Sequence, residues 1–297
     1  MLSILIPTYN YNVTKLAGDL QQQAKSSGID FEIIIAEDGS QKFLKENAEV
    51  EKMDFVRHLA FENNVGRGAN INRLADAAQF DILLIIDSDA EVCSEDFLKN
   101  YLPFCNENAV VVGGTAYDEN ENNPKYSLRL KYGRAREALT VQVRENGKFQ
   151  IFTTFNILIS KKIFNQIRFN DNIREYGQED TLFRSDLLRQ NYKITHIENP
   201  LIHRGLDENA IFLKKTETSM KNLFLLYQTK KYPELRNYSN LLNTFLKLKK
   251  CHLIWIVNLF FMLSKKMITG NLMSKNPSLF LFDLYKLGFL CNIATQN

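Results

Sequence analysis

Cysteine is scarce in this 297-residue sequence, and its four copies share no spacing that would build a site. No CxxC pair occurs, and no cysteine lies in a cluster with histidine. This pattern argues against a structural zinc site and against a disulfide framework. We expect reduced thiols in a cytoplasmic protein, at Cys93, Cys105, Cys251 and Cys291.

Two glycine signatures of nucleotide-binding proteins are also missing. The sequence has no GxGxxG after its first predicted strand, and GxxxxGK followed by Ser or Thr occurs nowhere. Their absence argues against a dinucleotide-dependent oxidoreductase and against a P-loop NTPase. The chain also lacks repeats and low-complexity tracts, and it is 45% hydrophobic. This length and composition allow one large domain, or one domain with an appendage.

Acidic residues are few in the C-terminal part of the chain. Residues 212–297 carry 13 Lys or Arg and 3 Asp or Glu, a net charge of +10. Residues 1–211 carry 24 Lys or Arg and 31 Asp or Glu, a net charge of −7. Because the basic part is also rich in Leu, Phe and Ile, the split predicts an anionic partner for it, either a membrane surface or nucleic acid.

The first 90 residues alternate between short apolar runs, typical of buried strands, and segments with helical spacing. Such alternation predicts an α/β fold with a doubly wound, mainly parallel sheet. The predicted strands are residues 2–6 (ended by Pro7), 31–36, 55–59, 80–86, 109–112, 149–160 and 192–197, and the early helices are 13–25 and 69–79.

Polar side chains follow three of the predicted strands. Thr8 and Asn10 follow the first strand, Asp38 follows the second, and Asp87 and Asp89 follow the apolar run at 80–86. Because the carboxyl ends of parallel strands lie at one edge of a sheet, these side chains would line a nucleotide-sized crevice built from separate loops.

Asp87-Ser88-Asp89 places two carboxylates one residue apart. Two negative charges that close repel each other, and a divalent cation removes the repulsion. Hard oxygen ligands suit Mg²⁺ or Mn²⁺, which commonly bridge carboxylates to substrate phosphates. The alternative is a solvated turn between a strand and a helix capped by Ser94.

A second acidic pair, Glu179 and Asp180, opens a predicted helix that ends near residue 190. Anionic side chains in a first helical turn are favoured by the helix dipole, so plain capping is one interpretation. The other is a general base aimed at a bound hydroxyl, with Gly177 permitting a close approach. His203 lies further along the chain in a predicted loop, and by itself it does not indicate a metal ligand.

Two basic regions each allow two interpretations. Residues 125–144 form either a solvated helix face or a surface that holds phosphates or an anionic acceptor. Residues 251–264 are strongly apolar and flanked by lysine pairs, but they fall short of the roughly 20 residues a spanning helix needs. With residues 279–290 they would either lie on anionic lipid or pack as a helical cap on the sheet domain.

Taken together, the motifs resemble the inverting glycosyltransferases of family 2, which have the GT-A nucleotide-sugar fold. The resemblance covers about residues 1–210 and rests on the order and approximate spacing of several stretches. Where members often show Ala-Arg-Asn, this chain has Asn70-Ile71-Asn72. The matching stretches are Ile6-Pro7-Thr8-Tyr9-Asn10, Glu37-Asp38-Gly39-Ser40, Asn64-Val65-Gly66, Asp87-Ser88-Asp89, Gln178-Glu179-Asp180 and His203.

The resemblance implies roles for the acidic residues and the histidine. Asp180 would be the catalytic base, with Glu179 beside it. Asp89 and His203 would coordinate Mn²⁺ or Mg²⁺, and Asp87 would face the ribose or the metal.

The resemblance also implies the residues around the donor. Asp38 would accept a hydrogen bond from the nucleotide base, as expected for uracil, and Asn72 would brace the helix behind the site. The remaining nucleotide-sugar contacts would be Pro7, Thr8, Asn10, Asn64, Gly66, Arg67, Asp87 and Ser88.

The expected protein is a metal-dependent inverting glycosyltransferase that uses a UDP-sugar and a hydroxyl of a glycan or lipid-linked acceptor. Residues 1–210 would form the catalytic GT-A domain and residues 211–297 a helical extension. The expected location is cytoplasmic, with residues 249–297 as the candidate contact to an anionic inner membrane face.

Two other functions stay open on the sequence. A sugar nucleotidyltransferase would need a glycine-rich, basic phosphate loop, which residues 7–12 lack. A non-catalytic nucleotide-sugar or nucleic-acid binder would use the basic tail. Nucleic acid is the less favoured partner, because the tail has no nucleic-acid motif and its lysines alternate with Leu and Phe clusters, which favours lipid.

Overall fold

A computed structural model describes residues 1–146, 152–171, 177–233 and 235–296. The first residues of the strand predicted at 149–160 and Tyr176 lie outside the described residues. The strands are β1 (Leu2–Thr8), β2 (Phe31–Asp38), β3 (Val56–Phe61), β4 (Ile82–Ile86), β5 (Ala90–Glu91), β6 (Val110–Val112), β7 (Thr115–Ala116), β8 (Asn156–Ser160), β9 (Thr195–His196) and β10 (Leu201–His203).

Helices cover both faces of the main sheet and continue as a C-terminal group. Short 3₁₀ helices occupy Glu49–Lys52, Lys99–Phe104 and Pro124–Tyr126. The α-helices are α1 (Thr14–Ser26), α2 (Leu44–Ala48), α3 (Arg67–Ala77), α4 (Ser127–Arg136), α5 (Val141–Asn146), α6 (Lys161–Ile167), α7 (Glu179–Arg189), α8 (Asn209–Thr229), α9 (Leu235–Tyr238), α10 (Asn240–Lys250), α11 (Ile254–Leu272) and α12 (Leu279–Gln296).

The main sheet has the strand order β3-β2-β1-β4-β8-β6-β9. Its first four strands are parallel, and β8 runs antiparallel to both β4 and β6. Residues of β1 alternate between two apolar clusters, with Ile4 and Ile6 in one and Leu5 in the other. The prediction of a mainly parallel sheet covered on both faces is therefore confirmed.

The first strand is longer than predicted, because Pro7 does not end it. β1 continues to Thr8, and Pro7 lies opposite Ala36 of β2. On its other side, β1 pairs with β4 only from Ser3 to Leu5, so Pro7 lies past that pairing. Proline is tolerated where one side of a strand is unpaired, since it has no N–H to donate there.

His203 lies in a strand, and the prediction of a loop at this position was wrong. β10 is the centre of a small three-stranded sheet with the order β5-β10-β7. His203 lies opposite Ala90 in the antiparallel pair with β5. The small sheet thus brings His203 beside the residues that directly follow β4.

The C-terminal helices pack on the sheet domain and on each other. One apolar cluster joins Leu128 of α4 to residues of α8, α11 and α12, and a second joins Leu182 of α7 to α8, α10 and α12. α11 and α12 approach closely, since a Cβ on Gly288 would lie 2.4 Å from the ring of Phe261. Part of this region therefore forms the cap that was one of the two interpretations.

Within the described residues, no helix taken alone has the length and hydropathy of a membrane-crossing segment. The pair α10 and α11 reaches that length and composition only jointly, with a bend of 119° between the two helices.

Candidate active site

The carboxyl ends of three parallel strands and the start of one antiparallel strand meet at one edge of the main sheet. Thr8 ends β1, Asp38 ends β2, and Asp87 directly follows β4. Because β8 runs in the opposite direction, the residues before it, including Thr154, reach the same edge. This edge is where open α/β sheets bind their ligands.

Asn10 ties the loop after β1 to the loop after β2. Its backbone is left-handed, with φ at +53°, and its amide donates to Ser40 Oγ at 2.9 Å. Its Oδ1 accepts from the amides of the two residues after Ser40, at 2.7 and 3.1 Å. Pro7 and Thr8 are buried just before it. The three predicted nucleotide contacts of this loop therefore lie together, and Asn10 also holds the loop in place.

Asp38 is buried and holds the loop that opens α3. Its two carboxylate oxygens accept from the amides of Val65 and Gly66, both at 2.9 Å. Asn64 is exposed, and its Oδ1 accepts from the Gly66 amide at 3.1 Å. Gly39 is left-handed, and a Cβ there would lie 2.6 Å from the Asn64 nitrogen. A base N–H bound at Asp38 would therefore share a carboxylate that already organises this loop.

Arg67, the first residue of α3, bridges two carboxylates of the site. Its Nε and Nη2 donate to Asp87 Oδ1 at 2.8 and 2.5 Å. Its Nη1 lies 3.5 Å from Asp180 Oδ1. Burial lowers the pKa of Arg67, but the charges of Asp87 and Asp180 raise it well above its ordinary value. The predicted donor contact is thus a permanent cation held between two acidic groups.

Thr154 joins the same network, and the sequence reasoning missed it. Its hydroxyl and its backbone N–H donate to the two oxygens of Asp180, the N–H at 3.1 Å. Its Oγ1 accepts from Arg67 Nη1 at 2.9 Å. Thr154 lies inside the strand predicted at 149–160, where nothing marked it as a site residue, and nothing in the sequence reveals that this strand is antiparallel.

Negative charge exceeds positive charge at this edge. Burial raises the pKa of Asp87; Arg67 opposes this rise, and the charge of Asp89 adds to it. Burial also raises the pKa of Glu179, the first residue of α7, and the charge of Asp180 adds to that rise. A carboxylate group crowded in this way favours the arrival of a cation.

Asp89 and His203 form a carboxylate–imidazole pair beside this group of carboxylates. Asp89 Oδ2 lies 3.1 Å from His203 Nε2. Burial raises the pKa of Asp89, but the charge and hydrogen bond of His203 bring it below its ordinary value. The imidazole lies between the rings of Tyr117 and Phe155, at centroid distances of 5.6 and 5.3 Å. Gly205 leaves room for the carboxylate, because a Cβ there would lie 2.0 Å from Asp89 Oδ2.

The Asp89–His203 pair fits a divalent ion that keeps open positions. Adjacent ligands of an octahedral ion with bonds of about 2.1 Å lie about 3 Å apart, close to the observed separation. His203 Nδ1 is buried, and no described residue gives it a hydrogen-bond partner. In the part of the chain that the structure describes, no group of three or more His, Cys, Asp or Glu side chains could hold a metal. Substrate oxygens would therefore complete the coordination, as Mg²⁺ sites commonly arrange.

Asp87 and Ser88 complete the predicted triplet. Ser88 is half-buried in the turn after β4, and the Asp87 carbonyl accepts from the Ala90 amide at 3.1 Å. Arg67 contacts both Asp87 and Asp180, so these two carboxylates belong to one group. Asp89 is paired with His203 instead.

Two contacts behind the site fix the elements that carry it. Asn72 of α3 donates to the Phe169 carbonyl at 2.9 Å and accepts from its amide at 3.0 Å, so it braces the helix as expected. Gly177 allows α8 to pack closely, since a Cβ there would lie 2.5 Å from Ser219 Oγ of α8. α7 is thereby held against α8 with Glu179 and Asp180 in its first turn.

Two basic residues of 125–144, Arg129 and Arg144, are used inside the protein, and the solvated-face interpretation was wrong for them. Arg144 is buried and donates to the carbonyls of Val112, Gly113, Leu139 and Ile197. Arg129 is buried and pairs with Glu137 at 2.9 Å. Both cations stabilise the chain around the site.

The chain matches the profile described as "Glycosyl transferase family 2" over residues 3–168, which is more than half of its length. A curated relative is the glycosyltransferase-named protein CsbB of Bacillus subtilis (strain 168), with 27% identity over 108 residues. That alignment covers 34% of this chain and 33% of CsbB, so the chain spans about a third of the length of this relative.

Solved structures share the fold at low sequence identity. The mannosyltransferase PcManGT from Pyrobaculum calidifontis, in complex with GDP-Man and Mn²⁺, has a TM-score of 0.59 and 12% identity, covering 99% of this chain and 86% of its own. Residues 1–349 of S. aureus TarS, in complex with UDP-GlcNAc, have a TM-score of 0.53 and 16% identity. The match covers 99% of this chain and 91% of the TarS chain.

Proposed function

This chain belongs to glycosyl transferase family 2 and is a glycosyltransferase with the GT-A fold. We propose the following reaction for it. The proposed enzyme moves a sugar from a nucleoside-diphosphate sugar, with a UDP-sugar as the first candidate, to a hydroxyl of a glycan or lipid-linked acceptor. The supporting observation is that Asp87 and Asp180 meet at Arg67, with the Asp89–His203 pair beside them, at the ligand-binding edge of the sheet.

Asp180 is the proposed general base. Thr154 fixes both of its oxygens, and about a third of the side chain stays exposed, so an acceptor hydroxyl can reach it. As the acceptor oxygen bonds to the anomeric carbon, its proton passes to the Asp180 carboxylate and the bond to the diphosphate breaks. One displacement from the opposite face inverts the anomeric centre and needs no second carboxylate nucleophile.

Asp89 and His203 are the proposed protein ligands of Mn²⁺ or Mg²⁺. When bound, such an ion neutralises charge on the departing nucleoside diphosphate. Gly205 makes space for Asp89, and the flanking aromatic rings restrict the imidazole to the orientation that faces it. The chain therefore holds Asp89 Oδ2 and His203 Nε2 3.1 Å apart, close to the separation of two adjacent metal ligands.

The proposed donor pocket lies between the loops after β1 and β2 and the start of α3. Asp38 and Asn10 organise those loops through backbone amides, so the pocket keeps its shape before the donor arrives. The other proposed contacts are Pro7, Thr8, Asn64, Gly66, Arg67, Asp87 and Ser88.

A panel of UDP- and GDP-sugars, scored for Mn²⁺-dependent donor hydrolysis, tests the reaction class. Asp180→Asn then tests the base: we expect it to bind the donor with unchanged affinity while transfer falls by about a hundredfold or more. Asp81→Asn, an exposed aspartate before β4, is the matched control and should transfer normally. Normal turnover by Asp180→Asn would refute its proposed role.

A further inference from the structure

Helix α11 is apolar on the side that faces the protein and on the side that faces away. Phe261, Ser264, Ile268 and Leu272 recur at helical spacing and are buried. Phe261, Ile268 and Leu272 pack in the same cluster as residues of α12. This inner stripe is sufficient to attach the helix to the fold, so the opposite side needs a separate explanation.

The outer face of α11 exposes large apolar side chains from Trp255 to Met267. The exposed fraction is 63% for Trp255, 55% for Leu259 and 79% for Leu263. A helix that is hydrophobic all round is normally covered on all sides, and contiguous apolar patches of this kind mark interaction surfaces. The exposed members of the outer face are Trp255, Ile256, Leu259, Phe260, Met262, Leu263 and Met267.

Two polar side chains of this helix, Asn258 and Lys265, are turned away from the outer face. Asn258 hydrogen-bonds to Thr295 and Asn292 of α12, both at 3.0 Å. Lys265 lies over the rings of Phe261 and Tyr285. The outer face therefore carries Lys266 among its apolar side chains, whereas Asn258 and Lys265 have their partners inside the fold.

The surroundings of the outer face carry one sign of charge. Residues 235–296 contain eight Lys or Arg and a single acidic residue, Asp283. Lys249 and Lys250 are exposed just before α11, and Lys266 is exposed within it. An apolar face with a cationic rim complements a surface that has an apolar interior and an anionic exterior.

We propose that the outer face of α11 docks this protein on an anionic lipid membrane, with the helix lying in the plane of the interface. The apolar side chains would enter the boundary between headgroups and acyl chains, while the lysines remain among the anionic headgroups. Trp255 suits this depth, because its ring is apolar and its N–H is polar. This surface goes beyond the proposed transfer reaction and does not depend on it.

A second copy of this chain is the rival occupant. In a symmetric pair the same patch meets itself, so the lysines of one copy would face those of the other. That repulsion disfavours self-association at the outer face, whereas anionic lipid turns the same charges into attraction.

Trp255 is the only tryptophan of the chain, so its fluorescence reports the outer face without any label. The full-length protein would be titrated with vesicles of phosphatidylcholine mixed with phosphatidylglycerol, with vesicles of phosphatidylcholine alone, and with poly(U). We expect a blue shift and higher intensity with the anionic vesicles, weakened by added salt, and little change in the other two.

Variants then separate lipid docking from misfolding. Leu259→Gln with Leu263→Gln should lower affinity for the anionic vesicles by at least about tenfold, and Lys249→Gln with Lys250→Gln by a similar factor. Leu225→Gln is the matched control, since Leu225 is 58% exposed on α8 and lies outside the outer face. All variants should keep the circular dichroism spectrum and the urea midpoint of the parent protein, which shows that they are folded whether or not the transfer reaction is assigned correctly.

Three results would overturn the proposal. The first is unchanged Trp255 emission with anionic vesicles. The second is a blue shift caused by poly(U) but not by vesicles. The third is a concentration-dependent blue shift without lipid, accompanied by dimers in analytical ultracentrifugation.

Discussion

Thr154 controls the orientation of Asp180 more directly than any other described residue. Its hydroxyl and its backbone N–H each engage one oxygen of that carboxylate, and the hydroxyl also accepts from Arg67. A base aimed at a hydroxyl must be held in one orientation, because small misplacements cost rate steeply. Thr154 is therefore a positioning residue of the proposed reaction.

Replacing this hydroxyl tests the positioning role. Thr154→Val keeps the shape and the backbone N–H, and we expect kcat to fall by about tenfold or more, the worth of one hydrogen bond to a charged group. KM for the donor should change little. Thr154→Ser restores the hydroxyl and should recover most of kcat in the same steady-state assay; equal losses in the two variants would contradict the role.

Gly205 makes a comparable contribution at the proposed metal pair. A methyl group there would lie 2.0 Å from Asp89 Oδ2 and 2.7 Å from Asp89 Cβ, so the carboxylate would have to move away from His203. We expect Gly205→Ala to weaken Mn²⁺ activation of donor hydrolysis by about tenfold, the loss typical of disturbing a ligand's support.

A helix glycine supplies the control for that substitution. A Cβ on Gly270 of α11 meets nothing within 4 Å, so Gly270→Ala should leave the Mn²⁺ titration unchanged. If Gly205→Ala required no more Mn²⁺ than the Gly270→Ala protein, Asp89 would not be a metal ligand.

Elements meet behind the site through a buried cation and a buried imidazole. Arg144 of α5 donates to carbonyls of β6 and of the segment after β9, and its Nη1 lies 3.3 Å from Nδ1 of His196 in β9. Burial, with the positive charge of Arg144 adding to it, lowers the pKa of His196 to about 4. His196 therefore stays neutral in the fold under conditions in which the unfolded chain protonates it.

The stability of this junction should depend on pH with a definite sign. Because the folded pKa of His196 lies below its ordinary value, its neutral form stabilises the fold above pH 6.5, and this contribution is lost as the pH falls towards 4. Urea unfolding at several pH values should show a shallower acid loss for His196→Gln than for the parent protein. The same acid slope in both proteins would mean that His196 is protonated in the fold.

At the scale of the whole molecule, apolar clusters cross the predicted boundary at residue 210. Leu128 and Leu182 lie before it, yet each belongs to a cluster built mostly from the C-terminal helices. The extension is consequently part of the structure that supports α4 and α7, and α7 carries Asp180. The division into two units stays a prediction.

Removing residues 249–297 tests how far the fold depends on these helices. The deletion strips buried side chains such as Phe261, Phe282 and Tyr285 from the shared cluster, and we expect a loss of at least about 5 kcal/mol in the free energy of unfolding. Urea denaturation followed by circular dichroism measures it. A truncated protein with an unchanged midpoint would show that the extension folds apart from the catalytic part.

The seven strands of the main sheet and the polar residues at their ends could be predicted from the sequence, because apolar runs and turn residues are local signals. The strands of the small sheet, β5, β7 and β10, were not predicted. β2, β4 and α3 begin within two residues of their predicted positions. The reversed direction of β8 could not be predicted, because strand direction depends on pairing with β4 and β6. The position of Thr154 at the site depends on that direction and could not be predicted either. For the same reason His203 was expected in a loop, and Arg144 was taken for a surface residue.

The sequence by itself determined the fold class, the family and the acidic residues to which the proposed chemistry is assigned, because these follow from hydrophobic periodicity and short motifs. Only the tertiary structure decided which partner each residue has. Arg67 joins Asp87 to Asp180, and Asp89 faces His203, because strand pairing brings distant segments to one edge. It also decided that the outer face of α11 stays exposed, since burial depends on which neighbours pack against a helix and not on the helix's own composition.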